Sequence, residues 1–262
     1  VALSGCSWFS GSNYHNNGYQ ASSNNGYYTQ GGECCKPLSR WNIEGAIGPE
    51  FMAGGTALTG DEIHPSPGTS AAKQSMKDVY DPGMRVELGG SYALNPNRKV
   101  TLMGSYAKAD GEQVNLGTFG GGTVSGDMGD YERYGIEAGL RQYFRPRHMP
   151  ILRSIRPYAE AKVGAAKVKE INLENAQYMG AAYNGGTVGL YEGSWVPTAS
   201  GMVGIEAPVF KRATLGLETG IRYTGTPKSN TTDLDGAHPL SGVNNGGSSL
   251  TVPVMLRGRY RF

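Results

Sequence analysis

Nowhere in its 262 residues does the chain hold a run of about 18 apolar side chains, so a transmembrane helix is excluded. Barrel strands are only half apolar and score poorly on hydropathy, so this absence leaves a membrane-spanning sheet open. Phenylalanine is scarce, 6 residues against 16 tyrosines, and only 38% of the chain is hydrophobic, which argues against an ordinary compact core. The net charge is only +2, with no basic block interleaved with aromatics, so no nucleic-acid partner is expected. No P-loop, dinucleotide fingerprint or nucleophile elbow occurs, and no cofactor is expected. The three cysteines lack C-x-x-C spacing, so no metal site is expected either.

What the chain has instead is glycine, 41 residues of it, inside alternating segments as well as between them. Such placement favours many strands and loops over low complexity. The clearest alternation closes the sequence. Leu250, Val252, Val254, Leu256, Tyr260 and Phe262 fall on one face of a strand, and Thr251, Arg257, Arg259 and Arg261 on the other. Three arginines opposite an apolar face suit a strand with lipid on one side and a polar lumen on the other.

Seven similar strands lie upstream. The first sets Trp41, Ile43, Ile47 and Phe51 against Asn42, Glu44 and Glu50, and the second sets Met84, Val86, Leu88 and Tyr92 against Arg85, Glu87 and Ser91. After a tight turn at Asn95–Pro96–Asn97, the third places Val100, Leu102 and Tyr106 outward and Lys99, Thr101 and Ser105 inward. The fourth, about 131–144, opposes Tyr134, Ile136 and Leu140 to Arg133, Glu137 and Arg141; the fifth, about 154–168, opposes Ala161 and Val163 to Arg156, Tyr158, Glu160 and Lys162. The sixth carries Trp195, Val203 and Ile205 against Thr198, Ser200 and Glu206, and the seventh Leu217, Ile221 and Tyr223 against Glu218 and Arg222.

Connections between these strands alternate long and short. The long ones, including residues 110–129 and 172–189, read as irregular loops, and Gly120–Gly122 as a flexible stretch. This rhythm predicts an all-β fold, an eight-stranded antiparallel transmembrane β-barrel over residues 40–262. A Gly/Asn/Tyr-rich N-terminal extension over residues 1–39, read as periplasmic, precedes it. A lipocalin would put its apolar face inside. Here the inside takes Glu44, Glu50, Glu87, Glu137, Glu160, Glu206 and Glu218 with Arg85, Lys99, Arg133, Arg141, Arg156, Lys162, Arg222, Arg257 and Arg259. Eight strands enclose a space that side chains nearly fill, so these charges are expected to pair in a network that closes the lumen. Arg257 and Arg259 on the last strand are expected to reach Glu44 and Glu50 on the first.

The eight-strand rhythm, the polar lumen and the ending Tyr260-Arg261-Phe262 resemble the small OmpA-like and OmpX-like barrels of the Gram-negative outer membrane. The resemblance covers about residues 40–262. It implies a bacterial outer-membrane location with both termini periplasmic, contact with outer-membrane lipids, and Tyr260 and Phe262 as a signal read by the barrel-assembly machinery. Separately, Leu3-Ser4-Gly5-Cys6 resembles the lipobox of bacterial lipoproteins, which would make Cys6 a lipidation site; a structural or free cysteine is the alternative. Cys34 and Cys35 are adjacent and bridge each other only with strain, so a disulfide from one of them to Cys6 or to another chain is the expected use.

Catalysis finds little support. His15, His64, His148 and His238 all fall outside the strands, and no catalytic set is expected, so the chain is read as no enzyme. The functional expectation is a structural, anchoring or assembly protein with a charge-plugged lumen, meeting a protein partner through residues 1–39 or the long loops. A narrow channel for small solutes and a lipid-modifying enzyme are the alternatives.

Overall fold

The computed structural model describes residues 40–60, 70–119, 121–144, 155–182, 186–232 and 242–262, which belong to one unit, Ser39–Phe262. The N-terminal extension with Cys6, Cys34 and Cys35 lies outside the described residues, as do all four histidines.

In chain order the elements are β1 (Trp41–Leu58), β2 (Ser70–Ala71), β3 (Gln74–Ser75), a single-turn helix α1 (Met76–Val79), β4 (Gly83–Asn95), β5 (Arg98–Ala109), β6 (Gln113–Phe119), β7 (Gly122–Met128) and β8 (Tyr131–Tyr143). Then follow β9 (Arg156–Val168), β10 (Ile171–Tyr178), β11 (Ala181–Ala182), β12 (Thr187–Glu192), β13 (Ser194–Pro208), β14 (Ala213–Thr224), β15 (Lys228–Ser229) and β16 (Ser249–Arg261). The eight long strands β1, β4, β5, β8, β9, β13, β14 and β16 pair antiparallel in a ring. The ring closes where Ile43 meets Tyr260 and Ile47 meets Leu256. The short turns join β4 to β5 and β13 to β14, and both ends of the ring strands β1 and β16 near Trp41 and Arg261 lie on that same side.

Alternation of side chains decides what each face meets. Ile43, Ile47, Leu88, Leu102, Ile136, Val163, Ile205, Leu217, Ile221 and Leu256 are all exposed on the outside, Leu88 by 67%. A continuous apolar band of this kind is not carried in water by a monomer. It is bordered by two rings of aromatics. Trp41 packs on Tyr92 with ring centroids 4.9 Å apart near the short turns, where Phe210, Tyr260 and Phe262 are also exposed. Tyr106 packs on Tyr134 at 5.0 Å near the other end, where Trp195 and Tyr223 are exposed. From Trp41 to Phe51 the strand rises about 33 Å, or roughly 25 Å along the axis at a tilt near 40°, the height of a barrel's lipid band. The ring is therefore a transmembrane β-barrel. No described helix is long and apolar enough to cross a membrane.

The long connections differ from the irregular loops expected of them. Residues 110–129 hold β6 and β7, and residues 172–189 hold most of β10 and part of β12. These strands form a second sheet in the order β15-β12-β10-β7-β6-β2, with β11 pairing β10. Gly121 turns β6 into β7 with φ +86°, in the left-handed region open to glycine, and Phe119 pairs with Gly122 across it. β1 likewise runs beyond Phe51 to Leu58, after an irregularity between Met52 and Gly54 in its pairing with β16. Its end leaves the lipid band and joins the cap.

A single apolar cluster explains why these segments order. Val114, Leu116, Val124, Ile171, Leu173, Val188 and Leu190 of the second sheet are fully or almost fully buried. They pack with Met76 and Val79 of α1 and with the tops of barrel strands at Leu58, Ala109, Tyr131, Val168 and Val196. The hydrophobic core thus sits on the mouth of the barrel at the end away from the short turns.

Candidate functional site

Inside the barrel the inward positions of all eight strands converge, and the parity of each strand puts its charged residues there. Arg85, Arg141, Lys162, Arg222 and Arg257 are among the most deeply buried large side chains in the protein. Charges so removed from water persist only when paired and hydrogen-bonded. The pairs lie in three tiers.

Nearest the short turns, Arg141 faces Glu44 at 2.9 Å, Glu160 at 2.8 Å and Glu206 at 3.3 Å. Arg259 reaches Glu206 at 2.7 Å. The Tyr143 hydroxyl donates to Glu206 at 2.8 Å and accepts from Arg259 at 2.6 Å. In the middle, Glu87 accepts from Lys162, Arg222 and Arg257 at 3.0–3.1 Å and from Arg85 at 2.9 Å. Arg257 also donates to Glu218 at 2.6 Å, and Tyr158 donates to the same carboxylate at 2.7 Å. Towards the cap, Arg133 meets Glu50 at 2.5 Å, Arg222 bonds Glu137, and the hydroxyls of Thr224 and Thr251 complete the tier. The space among Arg85, Arg133, Glu137 and Arg222 measures about 10 Å³, the room of one water at most.

The structure thus brings together Glu44, Glu50, Arg85, Glu87, Arg133, Glu137, Arg141, Glu160, Lys162, Glu206, Glu218, Arg222, Arg257 and Arg259. Arg156 is only half-buried. It lies at the short-turn rim, donates to the Pro96 carbonyl at 2.8 Å and sits 4.4 Å over the Tyr143 ring. Lys99 is buried in the lumen, 5.4 Å over the same ring, and its ammonium has no hydrogen-bond partner. The expected pairing across the seam holds for Arg257 and Glu44, at 3.5 Å, but Glu50 goes to Arg133 rather than Arg259. The register is the reason: Glu50 lies opposite Pro253, six residues along β16 from Arg259. Ser91, Thr101 and Thr251, read as inward-facing in the sequence, join the network through their hydroxyls, and Tyr143 and Thr224 complete it without having been singled out. Tyr143 lies two residues beyond Arg141, on the same face of β8, and that parity was the available signal.

Above the lumen, Tyr131 bonds Ser249 at 3.1 Å and then the apolar cap begins. Burial pushes the phenols of Tyr80 and Tyr191 above their ordinary range, and Tyr191 donates to the Ala57 carbonyl at 2.6 Å. Tyr260 and Phe262 lie on the lipid side of the last strand, their rings 5.7 Å apart and edge-on. Among the described residues no cluster of His, Cys, Asp and Glu is arranged to hold a metal ion.

No protein-family model matches the chain, and a comparison with curated proteins finds no match. Solved structures with a similar course include Neisserial surface protein A, at 10% identity and TM-score 0.43 over 87% of this chain and 100% of that one. The outer membrane protein OprG from Pseudomonas aeruginosa matches at 13% identity and TM-score 0.45, over 86% and 97%. The outer membrane protease OmpT from Escherichia coli matches at 10% identity and TM-score 0.45, over 87% and 99%. The barrel assignment stands on the closed strand register and the lipid band described above.

Proposed function

We propose that this chain is a bacterial outer-membrane anchor: a sealed barrel that fixes a folded cap at one face of the membrane and presents it to a protein partner. The observation that carries the reading is the double closure. The lumen is filled by ion pairs from seven of the eight strands, with Thr101 of the remaining strand, β5, donating to Glu160, and an ordered apolar core then covers its cap-side mouth. A channel needs neither a plugged interior nor a second sheet over its opening. In the outer-membrane type the long connections face outward, so the cap faces the surroundings and the termini face the periplasm. Tyr260 and Phe262 then lie at the periplasmic end, where the assembly machinery reads a terminal strand. The N-terminal extension, with Cys6 for lipid attachment and Cys34 or Cys35 for a disulfide, is the second anchoring element.

In-cell crosslinking tests this function. Two variants are compared with the full chain: one lacking residues 7–36, and one in which residues 113–128 are replaced by a short Gly-Ser connection. At least one is expected to lose envelope crosslinks while its barrel stays inserted. An unchanged crosslink pattern in both variants refutes the anchoring role.

A further inference from the structure

The two ends of the barrel differ in charge in a way the anchoring role does not require. At the short-turn end lie Arg40, Arg98, Arg156, Lys211, Arg212 and Arg261. Among the described residues every Asp or Glu side chain that is exposed or half-buried, Asp78, Glu112, Asp130 and Glu174 included, lies at the cap end instead.

Depth identifies what this charge meets. Arg40 adjoins Trp41, Arg261 lies between Tyr260 and Phe262, and Lys211 and Arg212 follow Phe210 directly. Arg98 lies two residues beyond Val100, whose cross-strand partner is Tyr92. Rings of Trp and Tyr settle at the boundary between acyl chains and headgroups. Cations one or two residues beyond them therefore stand at the level of lipid phosphates. Arg98, Lys211 and Arg212 are exposed there, and Arg98 is held at the rim by its Nε donating to the Gln142 side chain at 2.8 Å. A guanidinium matches a phosphodiester by two parallel N–H donors.

We propose that this rim binds the headgroups of anionic glycerophospholipids in the leaflet on the short-turn side. The cations are spread around the barrel at one depth beside the interfacial rings, as a shell of lipids requires, rather than raised into a patch for a soluble polymer. The proposal rests on the membrane reading of the apolar band and is independent of the cap's partner.

The test uses the full chain in nanodiscs of equal phosphatidylglycerol and phosphatidylcholine, with the lipids that stay bound on release counted by native mass spectrometry. Phosphatidylglycerol is expected to be enriched by about threefold over phosphatidylcholine. The enrichment falls towards one in the triple variant R98Q/K211Q/R212Q and in about 0.5 M NaCl, where screening is within roughly 4 Å. It is unchanged in the cap-end control K73Q/K77Q. Heat-modifiable gel migration confirms that each variant forms the barrel. Equal retention of the two lipids by the unaltered chain overturns the proposal, as does undiminished enrichment in the triple variant. Binding of soluble polyphosphate without any lipid preference also overturns it and assigns the rim to a polymer. Each of these three failures leaves the crosslinking result of the anchoring role untouched.

Discussion

Arg141 holds the tier nearest the short turns together, because one guanidinium serves Glu44, Glu160 and Glu206. Replacing it by Leu leaves those buried carboxylates short of a cation, and breaking a buried pair on one side costs about 3–5 kcal/mol. Urea unfolding of Arg141→Leu in lipid vesicles is expected to show a loss of that order. Lys99 is the counter-case: it is as hidden as its neighbours, yet its ammonium has no hydrogen-bond partner. Lys99→Met is expected to unfold at the same urea concentration as the unaltered chain or a higher one; a loss as large as that of Arg141→Leu contradicts the tier description. At this scale the sequence was legible by parity, which selects the side chains that enter the lumen. Parity cannot choose partners, because those depend on the stagger between strands. Glu50 and Arg259 face the same interior, but the register places them at different heights. Arg156 has the right parity as well, but it stands at the strand's first residue, where the interior gives way to the rim.

The seam between β1 and β16 is the element on which closure depends. A Cβ on Gly48 would stand 2.0 Å from the Val254 carbonyl oxygen and 2.9 Å from the Met255 Cα, both backbone atoms that cannot turn aside. Gly48→Val is therefore expected to abolish the heat-modifiable gel shift of the closed barrel, whereas Gly201→Ala, with open space around the added carbon, retains it. The cap is a different kind of element. Tyr80 and Tyr191 are buried in it and their phenols are raised above the ordinary value by burial foremost. The folded cap thus favours the protonated phenols, while the unfolded ones titrate near about pH 10. Their contribution is intact below that pH and is lost as pH rises through the folded-state values. The near-UV circular dichroism of the cap is expected to hold to about pH 10 and to fall above it while strand signal persists. Decay already complete near neutral pH would contradict this. The barrel strands were legible because ten or more residues alternate in each. The cap strands were not, since β6, β7 and β12 are only 7, 7 and 6 residues long. Val188, Gly189, Leu190 and Tyr191 are buried on both faces and show no alternation at all. Their order comes from the shared core, which no single segment announces.

At the scale of the whole molecule, the lipid band fixes the barrel across a bilayer, the ion-pair tiers fill it and the cap core covers one mouth. The alternation of long and short connections made this architecture legible before any pairing was known, but it carried no sign that the long connections fold together. The two closures are separable. Without the cap, the tiers alone still occupy the lumen, because their carboxylates and guanidiniums come from barrel strands. Planar-bilayer recording of the full chain, alongside a variant with residues 113–128 replaced by a short Gly-Ser connection, tests this most directly. Both are expected to stay electrically silent, with no stable open level. A steady channel of large conductance from the unaltered chain would contradict the sealed barrel.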